Sequence, residues 1–116
     1  MSPSPLSLAE VSSRLGSVPQ WRMENGELTR TFTFADFRAA LGFVNRVGEL
    51  AEAAGHHPDI DIRYNKVRLG LVTHDSGGIT AKDFDLAGKI DQAAGGISRS
   101  LPRYFEWFRA AAQDAQ

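Results

Sequence analysis

The apolar positions of the chain change period several times, and each change marks an element. From Ser7, the residues Leu8, Val11 and Leu15 recur every three or four positions. That spacing predicts a short amphipathic helix, capped by Ser7 and stopped at Gly16. Trp21–Glu24 reads as a strand. Asn25-Gly26 follows it and is the strongest two-residue hairpin signal, because both residues tolerate positive φ. Glu27–Phe34 then alternates, with Leu28, Arg30, Phe32 and Phe34 on one face and Glu27, Thr29, Thr31 and Thr33 on the other. Arg30 interrupts the apolar face, but the Thr/Phe alternation predicts a half-buried strand.

The period lengthens again over 35–54. Phe37, Leu41, Val44, Val47 and Ala51 predict a long helix with those side chains facing the core, ended by Gly55 in the left-handed region. Asp59–Tyr64 alternates, with Ile60, Ile62 and Tyr64 on one face, and Asn65-Lys66 is the expected turn. Val67–Thr73 continues as a strand with Val67, Leu69 and Leu71 inward. A loop spans Asp75–Gly78. Thr80-x-x-Asp83 is a capping pattern for a third helix carrying Phe84, Ala87, Ile90 and Ala94, with Gly95-Gly96 as its stop.

The layout is a helix followed by two hairpin–helix units. It predicts an α+β fold in the order α-β-β-α-β-β-α: a two-layer sandwich of a four-stranded antiparallel sheet with helices packed on one face. Residues 1–6, rich in Ser and Pro, form a flexible arm in this reading, and 7–97 form the domain. Leu101, Tyr104, Phe105, Phe108 and Ala111 fit an extra C-terminal helix over 98–116. Four of the chain's aromatics lie there (Tyr104, Phe105, Trp107, Phe108), a density that suits a buried or subunit-facing helix.

Composition narrows the chemistry. The chain has 116 residues, a formal charge of −1 and no cysteine. A near-neutral chain lacks the basic face expected of direct nucleic-acid binding or of a polybasic membrane anchor. Without cysteine there are no disulfides, thiolate metal sites or thiol nucleophiles. No apolar run approaches the ~18 residues of a membrane span, and the N-terminus lacks a signal-peptide pattern, so a soluble cytoplasmic domain is expected. Imidazole and carboxylate remain as the reactive groups.

The three histidines, His56, His57 and His74, fall at element ends. His56-His57-Pro58 follows the long helix, whose C-terminus favours a nearby imidazolium. Pro58 biases His57 toward an extended backbone, so the two rings are held in different directions. Glu52 lies four residues before His56 and would share a face with it if the helix persisted. His74 ends the last strand. A solvated or capping role is the ordinary fate of any one such histidine. Three imidazoles also suggest a zinc site, but adjacent histidines in an extended segment point apart, which counts against both binding one ion. Asp83 is most simply a capping residue, and Trp21 is more often core than a ligand platform.

The pattern Glu52-x3-His56-His57-Pro58-x5-Tyr64-x9-His74-x8-Asp83 resembles the signature of the pterin-4a-carbinolamine dehydratases. Trp21, Phe32-x-Phe34-x-Asp36-Phe37, Thr73-His74, Gly78-Ile79-Thr80 and Leu86-Ala87 extend the resemblance over roughly 8–97. It implies a homodimer or homotetramer and dehydration of 4a-hydroxytetrahydropterin to quinonoid dihydropterin, in recycling of the tetrahydrobiopterin-type cofactor. It implies no metal and no cofactor. By position it implies catalytic roles for His56, His57 and His74, with Glu52, Asp83, Trp21 and Pro58 binding substrate or supporting the site. The family also holds non-catalytic members that bind proteins, as a transcription-factor dimerisation cofactor or a Rubisco assembly factor. The 98–116 extension departs from the family pattern and is a candidate surface for a protein partner.

Overall fold

The computed structural model describes residues 4–99. The elements are α1 (Leu8–Arg14), β1 (Arg22–Glu24), β2 (Glu27–Thr33), α2 (Phe37–Ala54), β3 (Asp59–Arg63), β4 (Lys66–Leu71) and α3 (Ala81–Arg99), with 3-10 turns at Leu15–Ser17 and His74–Ser76. The sheet order is β1-β2-β4-β3 and every pairing is antiparallel. The expected α+β order is the observed one. The extra helix expected over 98–116 lies outside the described residues, apart from the two that end α3.

Local chemistry explains most boundaries. Ser7 and Glu10 close a reciprocal capping box at α1. Asn25 and Gly26 both take positive φ, at 50° and 79°, as a tight hairpin turn requires. Asp36 caps α2 through the Ala39 N–H at 2.9 Å. Gly55, at φ 61°, ends it in the left-handed region.

Packing corrects three expectations. On α2 the buried stripe is Ala40, Phe43, Val47 and Ala51, while Phe37 is 46% exposed and Leu41 38%. Phe43 takes the central place, its ring centroid 4.6 Å from that of Phe32 and 4.9 Å from that of Phe34. The β3–β4 turn comes one residue early. Arg63 pairs with Lys66, so Tyr64 and Asn65 form the bend, and Tyr64 takes φ 54° and leaves the core face. Asn65 fixes that turn by donating its Nδ2 to the Phe34 carbonyl at 2.9 Å. Gly95-Gly96 does not stop α3, which runs on to Arg99; an interior glycine costs a helix only ~1 kcal/mol. Before α1, the Leu6 N–H donates to the Ile79 carbonyl at 2.8 Å.

Arg30 has a partner that explains its place on an apolar strand face. Its guanidinium bonds Asp91 of α3 at 2.7 Å and lies 4.1 Å from the centre of the Phe32 ring. The same Asp91 oxygen accepts the Trp21 indole N–H at 2.8 Å.

Candidate functional site

The antiparallel order gathers one set of chain segments at one end of the sheet. The β1–β2 turn, the start of β3 and the exit of β4 lie there. So do the C-terminus of α2 and the N-terminus of α3, through the contact of His56 with Asp83. All three histidines therefore belong to this end, as their positions at element ends suggested.

His56 follows Gly55, and its backbone N–H still bonds the Ala51 carbonyl at 3.1 Å. The left-handed turn at Gly55 then reverses the chain, so His56 does not lie over Glu52. Its Nε2 meets Asp83 Oδ1 at 2.5 Å instead. The pair is nearly dry, with side-chain exposures of 11% for His56 and 0% for Asp83. Asp83 Oδ2 accepts two further bonds, from the Thr80 N–H at 2.8 Å and the Thr73 hydroxyl at 2.9 Å. With Thr73 Oγ1 donating there, the Thr80 hydroxyl donates to Thr73, 2.7 Å away. Asp83 is thus the capping residue expected of it, and also the hub that ties α3 to His56 and to the residue before His74. A carboxylate that only accepts leaves Nε2 of His56 as the N–H and Nδ1 as the free ring nitrogen.

His57 takes the carboxylate that was expected for its neighbour. Its Nε2 lies 2.6 Å from Glu52 Oε1, with side-chain exposures of 63% and 77%. The adjacent rings do point apart. Pro58, half-buried, leads straight into β3, where a missing N–H is tolerated at an edge strand.

His74 is exposed and opens the 3-10 turn after β4, which Gly77 closes at φ 77°. It lines a cavity of about 590 Å³ together with Glu27, Asn25, Leu6, Met23 and Ile79. His56 and His57 are not among the residues lining that cavity. Trp21 is not gathered at this end. It is 3% exposed, packs edge-on to Phe32 at 6.2 Å and is anchored by Asp91. Among the described residues, no group of three or more His, Asp or Glu is placed to hold a metal ion, and no helix is long and apolar enough to cross a membrane.

Glu27 was not singled out in the sequence, yet it faces the same cavity as His74. Desolvation raises its pKa above the ordinary value; a hydrogen bond and like charge from Asp59 add to this, while Arg68 and His74 oppose it. The sequence signal was slight: a carboxylate placed directly after an Asn-Gly turn, beside the strand that leads to His74.

Comparison with known proteins agrees with this architecture. The family model described as Pterin 4 alpha carbinolamine dehydratase matches residues 4–93. A protein of Chloroflexus aurantiacus named "Putative pterin-4-alpha-carbinolamine dehydratase" is 60% identical over 90 residues, covering 78% of this chain and 97% of its own. A crystal structure of a transcriptional coactivator/pterin dehydratase from Brucella melitensis superposes with a TM-score of 0.74 at 32% identity, over 77% of this chain and 97% of its own. A pterin dehydratase-like protein identified as a RuBisCO assembly factor of the alpha-carboxysome shares the fold, with a TM-score of 0.55 at 21% identity over 65% of this chain and 87% of its own. The chain belongs to the pterin 4 alpha carbinolamine dehydratase family.

Proposed function

We propose that the protein is a 4a-hydroxytetrahydropterin dehydratase working by histidine acid–base chemistry. The observation that carries the reading is the buried His56–Asp83 bond, joined through the Thr73 hydroxyl to the segment that presents His74. The reaction removes the 4a-hydroxyl as water and a proton from N5. It needs an acid for the leaving hydroxyl and a base for the N–H, and imidazole serves both near neutrality.

In this reading Asp83 holds the His56 ring by Nε2, and Nδ1, when it carries a proton, gives it to the departing hydroxyl, which leaves as water. His74 acts as the partner at N5. His57, poised at the surface by Glu52, binds and orients the pterin. Asp83 and Glu52 are positioning residues, and Trp21 supports the site only through the fold. The intact set of Glu52, His56, His57, His74 and Asp83 supports retained catalysis. The test is dehydration of chemically prepared 4a-hydroxytetrahydropterin. Acceleration over buffer is the expected result, and a rate no faster than buffer rejects the enzyme.

A second reading, a protein-binding member of the family, draws on the exposed Phe37 and Leu41 of α2. The 98–116 extension is its other proposed surface, and a homodimer or homotetramer is part of either reading. A pull-down with the full chain and with 98–116 removed separates the classes. An interaction module loses its partners on truncation and keeps them in His56→Ala.

A further inference from the structure

Among the residues lining the cavity beside His74, Glu27 is the acidic one. Leu28 points to the core, so Glu27 projects from the sheet face opposite the helices. Its carboxyl lies over Gly70 of β4. A Cβ added at Gly70 would stand 3.3 Å from Oε2 and 3.5 Å from Oε1. Gly70 is in register with Asp59 of β3, whose like charge helps to raise the proton affinity of Glu27. The group is therefore seated by a missing side chain beneath it. Its raised proton affinity makes it a better acceptor for N–H donors.

A tetrahydropterin has two chemically distinct ends. Reaction occurs at C4a and N5. The far edge of the pyrimidinone ring carries N3–H and the 2-amino group side by side, two donors pointing the same way. That pair matches the two oxygens of one carboxylate, as a guanidinium does. Leu6, Met23 and Val72 add apolar surface to the cavity, and about 590 Å³ is ample for a bicycle. A carboxylate and a histidine on one such cavity provide for the pyrimidinone edge and for N5.

We propose that Glu27 recognises the 2-amino-pyrimidinone edge of the pterin through both oxygens of its carboxylate, with the open space over Gly70 fixing its position. The assignment rests on the dehydratase reading, since it requires a pterin in the cavity that His74 faces. It makes Glu27 the residue that distinguishes a 2-amino pteridine from its 2-oxo counterpart.

The experiment is a binding titration of the full chain with 6-methyl-7,8-dihydropterin and with 6-methyl-7,8-dihydrolumazine, which carries oxygen in place of the 2-amino group. Wild type is expected to prefer the pterin by at least about tenfold, the equivalent of one well-made polar contact. Glu27→Gln replaces one acceptor by a donor, which suits a 2-oxo group beside N3–H. Its preference is expected to fall by about tenfold or to reverse, mainly through weaker pterin binding. Gly70→Ala leaves Glu27 chemically intact but displaces it, and is expected to shift the preference the same way. Should Gly70→Ala fail to fold, Glu27→Gln alone decides. Pterin binding by wild type with an unchanged preference in Glu27→Gln overturns the Glu27 assignment and leaves the dehydratase reading standing. A wild type that binds neither compound overturns both.

Discussion

Two histidine–carboxylate pairs stand side by side in this chain and differ in almost everything but length. His56–Asp83 closes at 2.5 Å and His57–Glu52 at 2.6 Å. The first is sealed, with Asp83 fully buried and three donors on its two oxygens. The second lies in solvent, with both side chains more than half exposed. Distance therefore says little about what each pair is worth. An exposed pair is worth ~0–1 kcal/mol, because water screens it and both side chains lose freedom. A buried pair is expensive to break, because the surviving charge has no water to turn to. The buried pair fixes the geometry of a ring, while the exposed pair leaves its ring free to meet a ligand.

The comparison breaks most visibly at Asp83. Asp83→Ala strips the His56 ring, the Thr80 N–H and the Thr73 hydroxyl of their acceptor at once. It is expected to cost about 3–5 kcal/mol of stability, read by denaturant unfolding. The matching change on the exposed side, Glu52→Gln, is expected to cost no more than ~1 kcal/mol in the same experiment. Trp21→Phe sits between them. It removes the indole bond to Asp91 but leaves Arg30 there, so about 1 kcal/mol of stability is lost while pterin affinity is unchanged, measured by unfolding and titration.

The smallest effect concerns Glu27. Its folded pKa is raised, so its contribution to stability is full below the ordinary glutamate value of 4.5 and is lost as pH rises through the raised pKa. Relative to wild type, Glu27→Gln is therefore expected to gain stability on going from acid to neutral pH. Unfolding midpoints of the two proteins across that range give the sign directly.

Much of this was legible in the sequence, and the failures share a cause. Local signals are the legible ones: Ser7, Asp83, Gly55 and Asn25-Gly26 each act through their own backbone neighbourhood. Failures came where two local answers were both periodic or where a distant partner decided. On α2 the stripe beginning at Phe37 and the stripe beginning at Ala40 both recur every three or four residues. The sheet selects the one whose first residue is small, which lets Phe43 reach Phe32 and Phe34. A tyrosine in the left-handed region is not a usual turn residue, so the sequence points to Asn65-Lys66 while the bend falls one position earlier, at Tyr64-Asn65. Glu52 was expected to face His56 on a continuing helix, yet Gly55 turns the chain first and delivers His57. Arg30 looked like a defect until Asp91, on another element, supplied its partner. Of the candidate site, the end of the sheet that gathers the three histidines is legible from their places at element ends. Which carboxylate holds which ring depends on one left-handed glycine and on the packing of α3.

The proposed reaction divides the work: the sealed pair does chemistry and the exposed pair assists binding. The most direct test compares dehydration rates of 4a-hydroxytetrahydropterin, at saturating substrate, for wild type, His56→Ala and Glu52→Gln. A loss of ~10²–10⁴-fold is expected for His56→Ala, the usual range for a general acid–base group. Glu52→Gln is expected to keep its maximal rate within about tenfold, as a solvent-screened positioning contact should. Equal losses in the two variants, or a His56→Ala protein as fast as wild type, overturn this division of labour.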